Sequence, residues 1–118
     1  MNENILTIRI QSLEDVMRTV RAAIANDQPE ATPGLSFPTY DLMHRVLAPK
    51  RLDIIRAMAG QGPLAYREIA RRVGREYKGV HSDITALIKA GVIDRQVDGV
   101  VFPYETIHFE FDIKANAA

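Results

Sequence analysis

The sequence contains no cysteine, so it has no disulfide framework, no thiol nucleophile and no cysteine-based zinc site, a composition suited to a reducing cytosol. Long apolar runs are missing as well. The stretch Met1 to Ile10 is interrupted by Glu3 and Arg9 and reads as neither a signal peptide nor a membrane span. The expectation is a cytoplasmic protein with no membrane partner. There is no excess charge of either sign: 15 Lys and Arg balance 15 Asp and Glu, which argues against a uniformly basic coat. No Gly-rich phosphate loop, Gly-x-Ser-x-Gly elbow or His-Glu-x-x-His pattern occurs. His44, His81 and His108 fall in separate segments without paired spacing, whereas metal or general-base chemistry needs convergent groups. The chain is therefore expected to be neither an enzyme nor the holder of a metal or cofactor.

What is present is 118 residues, 47% hydrophobic and 25% charged, the balance of one small globular domain. A core of that size is marginal, and dimerisation would add to it. The charge is segregated along the chain. Residues 1–43 carry a net of about −3, residues 44–96 about +6, and residues 97–118 about −3. A basic centre between acidic flanks is the footprint of a nucleic-acid reader whose ends do something else, although an Arg-rich solvated helical surface has the same look.

Periodicity organises the chain. Ile5 to Ile10 is a β-branched run suited to a strand. Ser12-Leu13-Glu14-Asp15 is a Ser-x-x-acid helix start, and Leu13, Val16, Met17, Val20 and Ile24 then form one apolar stripe of a helix ending near Asn26. That stripe needs a surface to cover. Asp27 to Pro38, with Pro29, Pro33, Gly34 and Pro38, reads as a linker or irregular loop and as the chain's main boundary. Tyr40 to Leu47 predicts a short helix stopping before Pro49. A second helix from Lys50, with Leu52, Ile55, Met58 and Ala59 inward, ends at Gly60-Gln61-Gly62-Pro63.

Residues 64–91 are the informative part. Ile69, Ala70 and Val73, then Gly74, then Val80, Ile84, Leu87 and Ile88 make two short apolar stripes around a glycine turn, the pattern of a helix-turn-helix. A plain helical hairpin with a wetted polar face fits the same residues. If Val80, Ile84 and Leu87 face inward, Lys78, His81, Ser82 and Thr85 lie outward, with Tyr77 nearer the edge. Arg75, Lys78, His81 and Ser82 are all able to bond phosphates or base edges. Val92 to Val97, Asp98-Gly99, and Val100 to Phe102 follow as two strands joined by a two-residue hairpin signal. A hairpin directly after such a helix reads as a wing, with Arg95 and Gln96 as its DNA-facing residues and Asp98 at a tip that phosphates repel. Thr106 to Ile113 alternates, Ile107, Phe109, Phe111 and Ile113 on one face, as a half-buried strand does. Three partners suit that strand: the wing sheet, the Ile5 to Ile10 strand, or a second copy of the chain.

The helix from Lys50, the run Tyr66-Arg67-Glu68-Ile69-Ala70-Arg71-Arg72-Val73-Gly74-Arg75-Glu76-Tyr77-Lys78-Gly79-Val80-His81-Ser82-Asp83-Ile84, the ending Leu87 to Ile93 and Phe102-Pro103-Tyr104 carry a resemblance. Over residues 36–113 the chain resembles the small prokaryotic winged-helix regulators of the MarR/ArsR-like superfamily. More narrowly, it is similar to a group of regulators regarded as antitoxins because they often accompany a small toxin gene. Gly79 and Ser82 stand where that group often has Asn and Arg.

The resulting expectation is an α+β chain, a winged helix-turn-helix over residues 36–113 with a strand-helix extension and linker at 1–35, a C-terminal strand, and a tail at 114–118. It would be a dimeric repressor that binds specific double-stranded DNA. Lys78, His81 and Ser82 would read the major groove beside Tyr77 and Thr85, while Arg71, Arg72, Arg75 and Arg95 neutralise phosphates. The resemblance implies an alternative, an antitoxin that binds a cognate toxin protein through its acidic flanks and autoregulates its operon.

Overall fold

Ser12 begins the first helix as its sequence requires: the hydroxyl accepts the Asp15 N–H at 3.1 Å, and α1 runs Leu13–Ala25. The computed structural model describes residues 4–26 and 34–115. Before α1 lies strand β1 (Ile5–Ile10), and after it β2 (Gly34–Phe37), followed by α2 (Tyr40–Val46), α3 (Pro49–Met58), α4 (Tyr66–Val73) and α5 (Tyr77–Lys89). Strands β3 (Asp94–Gln96), β4 (Gly99–Val101) and β5 (Thr106–Glu110) complete an α+β chain. Among the described residues no helix is long and apolar enough to cross a membrane.

The two ends of the chain meet in one sheet. β1 lies between β2 and β5 and is parallel to both, with Ile8 opposite Leu35 on one side and Phe109 on the other. Of the three partners open to the Thr106 segment, β1 is the one it takes. Residues directly opposite share a face, so Leu6, Ile8, Leu35, Phe37, Ile107 and Phe109 point one way, into the core. Thr7, Arg9, Ser36, His108 and Glu110 point the other, where Arg9 reaches Glu110 at 3.6 Å.

β2 corrects the reading of residues 27–38 as linker or loop: residues 34–37 are a strand, and residues 27–33 lie outside the described residues. Pro38 falls just past the strand's end, and β2 is an edge strand, so neither proline nor glycine there breaks a ladder on both sides. The first helix also differs from expectation in one respect. Among the described residues its stripe is left largely uncovered: Val16 is half-buried, and no α1 residue is fully buried.

One apolar core joins the sheet to the helices. Leu6, Ile8 and Phe37 belong to the same cluster as Met43, Leu47, Ile54, Ile55, Met58, Ile69, Val80, Ile84 and Leu87. Ile54, which the stripe of α3 did not include, is fully buried. Val92, Ile93, Val100 and Phe102 close the cluster beneath the β3–β4 hairpin.

Candidate functional site

α4 ends because Gly74 adopts the left-handed conformation, φ 68° and ψ 35°, which side chains with a Cβ disfavour. The chain turns there and re-enters a helix at Tyr77. Ile69 and Ala70 of α4 and Val80, Ile84 and Leu87 of α5 are the buried residues of the two helices. Ala70 permits the close approach and Val80 fills the angle between them. With 80, 84 and 87 inward, the helical repeat places 78, 81, 82 and 85 on the opposite side. Lys78, His81 and Ser82 are exposed there, and Thr85 is half-buried with its hydroxyl donating to the His81 carbonyl at 2.8 Å.

The start of α5 has no side-chain cap and no acidic residue in its first turn, though the N-cap residue is Glu76. Its exposed edge is aromatic. The Tyr66 ring lies 4.8 Å and the Tyr77 ring 5.8 Å from the His81 ring, and the Arg67 guanidinium sits 4.8 Å over Tyr77. This stack joins both helix starts into one surface; its Tyr77–His81 half has i, i+4 spacing on α5, while its Tyr66–His81 half was not apparent from spacing, since those residues lie on different helices.

The arginines divide into distinct environments. Arg71 and Arg72 share the Glu68 carboxylate at 2.6 and 2.7 Å, and Arg72 also donates to Gln61 at 2.9 Å. Hydrogen bonds from Arg71 and then Arg72 hold the Glu68 carboxyl down at about 2, and the same pairing raises the pKa of Arg71. Two cations against one anion leave this cluster positive. The i, i+3 and i, i+4 spacing from Glu68 was legible in the sequence.

Arg75, expected at the outer surface, is drawn inward onto Asp83 at 2.8 Å, while Arg51 grips the other Asp83 oxygen at 3.1 Å. Arg51 also donates to the Val46 carbonyl at 3.1 Å, so one carboxylate ties the end of α2, the start of α3 and the turn before α5 together. Burial works to raise the Asp83 pKa, but the two guanidiniums outweigh it and hold the carboxyl below its usual range. One Arg75 nitrogen, Nη1, is buried without a hydrogen-bond partner among the described residues.

The hairpin follows α5 directly. Asp94 pairs with Val101 and Gln96 with Gly99, which leaves Val97 and Asp98 as the two-residue loop, one residue earlier than the Asp98-Gly99 expected. The reason lies on the far side of β4, where Val100 and Leu64 exchange backbone hydrogen bonds at 2.8 and 2.9 Å. Gly99, at φ 139°, is thereby pressed against the Leu64 carbonyl so closely that any Cβ would collide with it. β3 is exposed along its length, with Arg95 and Gln96 on it and Val97 fully exposed at the tip.

Among the described residues no group of three or more His, Cys, Asp or Glu side chains is placed to hold a metal ion. His44, His81 and His108 lie on α2, α5 and β5 respectively. No curated protein matches the chain. Residues 46–109, more than half its length and spanning the end of α2 through most of β5, match the model of the HVO_A0114 family, and the chain belongs to that family.

Proposed function

We propose that the chain is a winged helix-turn-helix protein that binds double-stranded DNA as a dimer and represses transcription. α5 enters the major groove, and the β3–β4 hairpin is the wing. The observation that carries this reading is the sequence of parts: α4, the Gly74 turn, α5 with Lys78, His81 and Ser82 on its core-free side, then a hairpin bridged back to Leu64. The MarR/ArsR-like resemblance supports the same arrangement.

The charges sort by role. Lys78, His81 and Ser82 reach base edges or nearby phosphates, with Tyr77 and Thr85 at the margins of that face. Arg71, Arg72 and Arg95 neutralise backbone phosphates from α4 and the wing. Arg75 contributes through structure, because Asp83 already holds it at Nη2 and its Nη1 is buried.

A fluorescence-anisotropy titration of the full chain against the double-stranded DNA upstream of its own gene tests the proposal. Saturable binding that outcompetes a scrambled duplex and weakens steeply with added salt is expected. Equal affinity for both duplexes would remove sequence recognition, and no salt-sensitive binding at all would remove the DNA reading.

A further inference from the structure

Leu13, Met17, Val20 and Ile24 of α1 are 76%, 43%, 46% and 75% exposed. Its own sheet offers this stripe little apolar surface, only Leu35 and Pro38 at the β2 edge, and these leave all four side chains exposed. An open cleft of about 790 Å³ separates α1 from the strands, with Leu13, Val16 and Val20 on one wall and Arg9, Gln11, Leu35, Ser36 and Pro38 on the other. The polar row of Thr7, Arg9, Ser36, His108 and Glu110 is the sheet face that points away from the core, and the apolar face is already committed to it. A helix of 13 residues is also too short to be stable in water without a packing partner.

The spacing of the stripe identifies the partner. The exposed members Leu13, Met17, Val20 and Ile24 step by four, three and four, the seam spacing of two paired helices, with half-buried Val16 and Ala23 flanking it on the cleft side. Antiparallel pairing about a two-fold axis sets Leu13 against Ile24 of the second copy and Met17 against Val20 of the second copy, closing the seam with its own residues. In that register Glu14 flanks Arg21 of the second copy on one edge, and Val16 meets Ala23 of the second copy on the other. Parallel pairing places Arg21 beside Val16 and leaves Glu14 with no opposite charge across the seam, only Arg18 of its own helix at 3.9 Å. The charge pattern thus selects the antiparallel form.

We propose that α1 is the surface through which two copies of this chain associate, their helices antiparallel across a two-fold axis. This deepens the dimeric part of the reading above, and its test needs no DNA. A seam of about 20 Å at 1.5 Å per residue is shorter than a standard interface, so the association is concentration-dependent.

Sedimentation velocity of the full chain across a hundredfold concentration range is the measurement. The expected result is a reversible monomer–dimer equilibrium that Val20→Glu shifts to monomer without loss of the folded circular-dichroism signal. Because α1 buries no residue, such a variant keeps its core. Glu14→Arg alone and Arg21→Glu alone each weaken dimerisation about fivefold to tenfold, and the double swap Glu14→Arg/Arg21→Glu restores it. Since the chain lacks cysteine, oxidation of Leu13→Cys mixed with Ile24→Cys joins the two variants, while Leu13→Cys by itself does not.

A chain that stays monomeric at every concentration overturns the proposal, whether its stripe then serves its own sheet or a different protein. So does a dimer indifferent to Val20→Glu, or a double swap that fails to restore pairing. A dimer that ignores DNA leaves the seam intact and removes the DNA reading; a monomer that binds DNA does the reverse.

Discussion

Replacing Asp83 with asparagine removes the one negative charge shared by Arg51 and Arg75 while keeping the side chain's shape. The two contacts, 3.1 and 2.8 Å, converge on a carboxylate whose side chain is 16% exposed, against 24% and 26% for the arginines. Breaking a fully buried ion pair costs about 3–5 kcal/mol because the surviving charge is stranded. Here the arginines retain access to water, which brings the cost to about 2–3 kcal/mol. For a chain between the small and medium size classes, that corresponds to a fall in Tm of about 6–15 °C. Thermal unfolding followed by circular dichroism measures it. The double variant Asp83→Asn/Arg75→Met should lose less than the sum of the two singles, because each change removes the other's partner. The deficit should also shrink as pH falls. Asp83 has a folded-state pKa below its unfolded value of about 3.9, so its contribution is complete above that value and is lost as pH drops through the folded one. A Tm shift under about 2 °C at neutral pH, or strictly additive singles, would refute the clamp.

The remaining predictions concern turns, caps and charge. Gly99→Ala should destabilise the fold more than Gly74→Ala, which costs about 1–2 kcal/mol for a left-handed residue alone, because position 99 adds a collision with the Leu64 carbonyl; urea midpoints rank them. Ser12→Ala should cost about 1 kcal/mol of local helix stability, read as faster amide exchange in α1 with the α5 amides unchanged. Glu68 is held at about 2, so its support of Arg71 and Arg72 is complete above the ordinary glutamate range and is lost only as pH falls towards 2. An acid titration followed by carboxyl chemical shift checks that low midpoint. Glu76→Gln, at the uncapped start of α5, should tighten DNA binding severalfold in the anisotropy assay by removing a negative charge near the phosphates.

Local signals explain how much of this was legible. The α1 cap, the Gly74 turn, the inward Val80, Ile84 and Leu87, and the alternation of β5 each arise from a few neighbouring residues, and the structure bears them out, except that β5 stops at Glu110, where its pairing with β1 ends, and leaves Ile113, expected on its half-buried face, 84% exposed. β2 was hidden because Pro33, Gly34 and Pro38 mimic a loop, while its strand character comes from β1, a partner 27 positions earlier in the pairing of Thr7 with Gly34. The hairpin register was off by one because Leu64, remote in sequence, decides what Gly99 must do. Likewise, nothing local marks Asp83 as the partner of Arg51, 32 residues away; the same contact turned Arg75 from an expected surface cation into a brace. On the candidate site, the sequence identified Lys78, His81 and Ser82 by helical repeat alone, and the Tyr66–His81 half of the aromatic stack required the tertiary fold.

The most direct test of the account is the salt dependence of DNA binding by the wild-type chain and by Lys78→Ala. The exposed face of α5 predicts that log K falls linearly with log salt, at a slope of about −0.9 for each phosphate neutralised, and that Lys78→Ala weakens binding while reducing the slope by about one for each bound copy. An unchanged slope and affinity in Lys78→Ala, with wild-type binding intact, would contradict the claim that α5 is the DNA-reading helix.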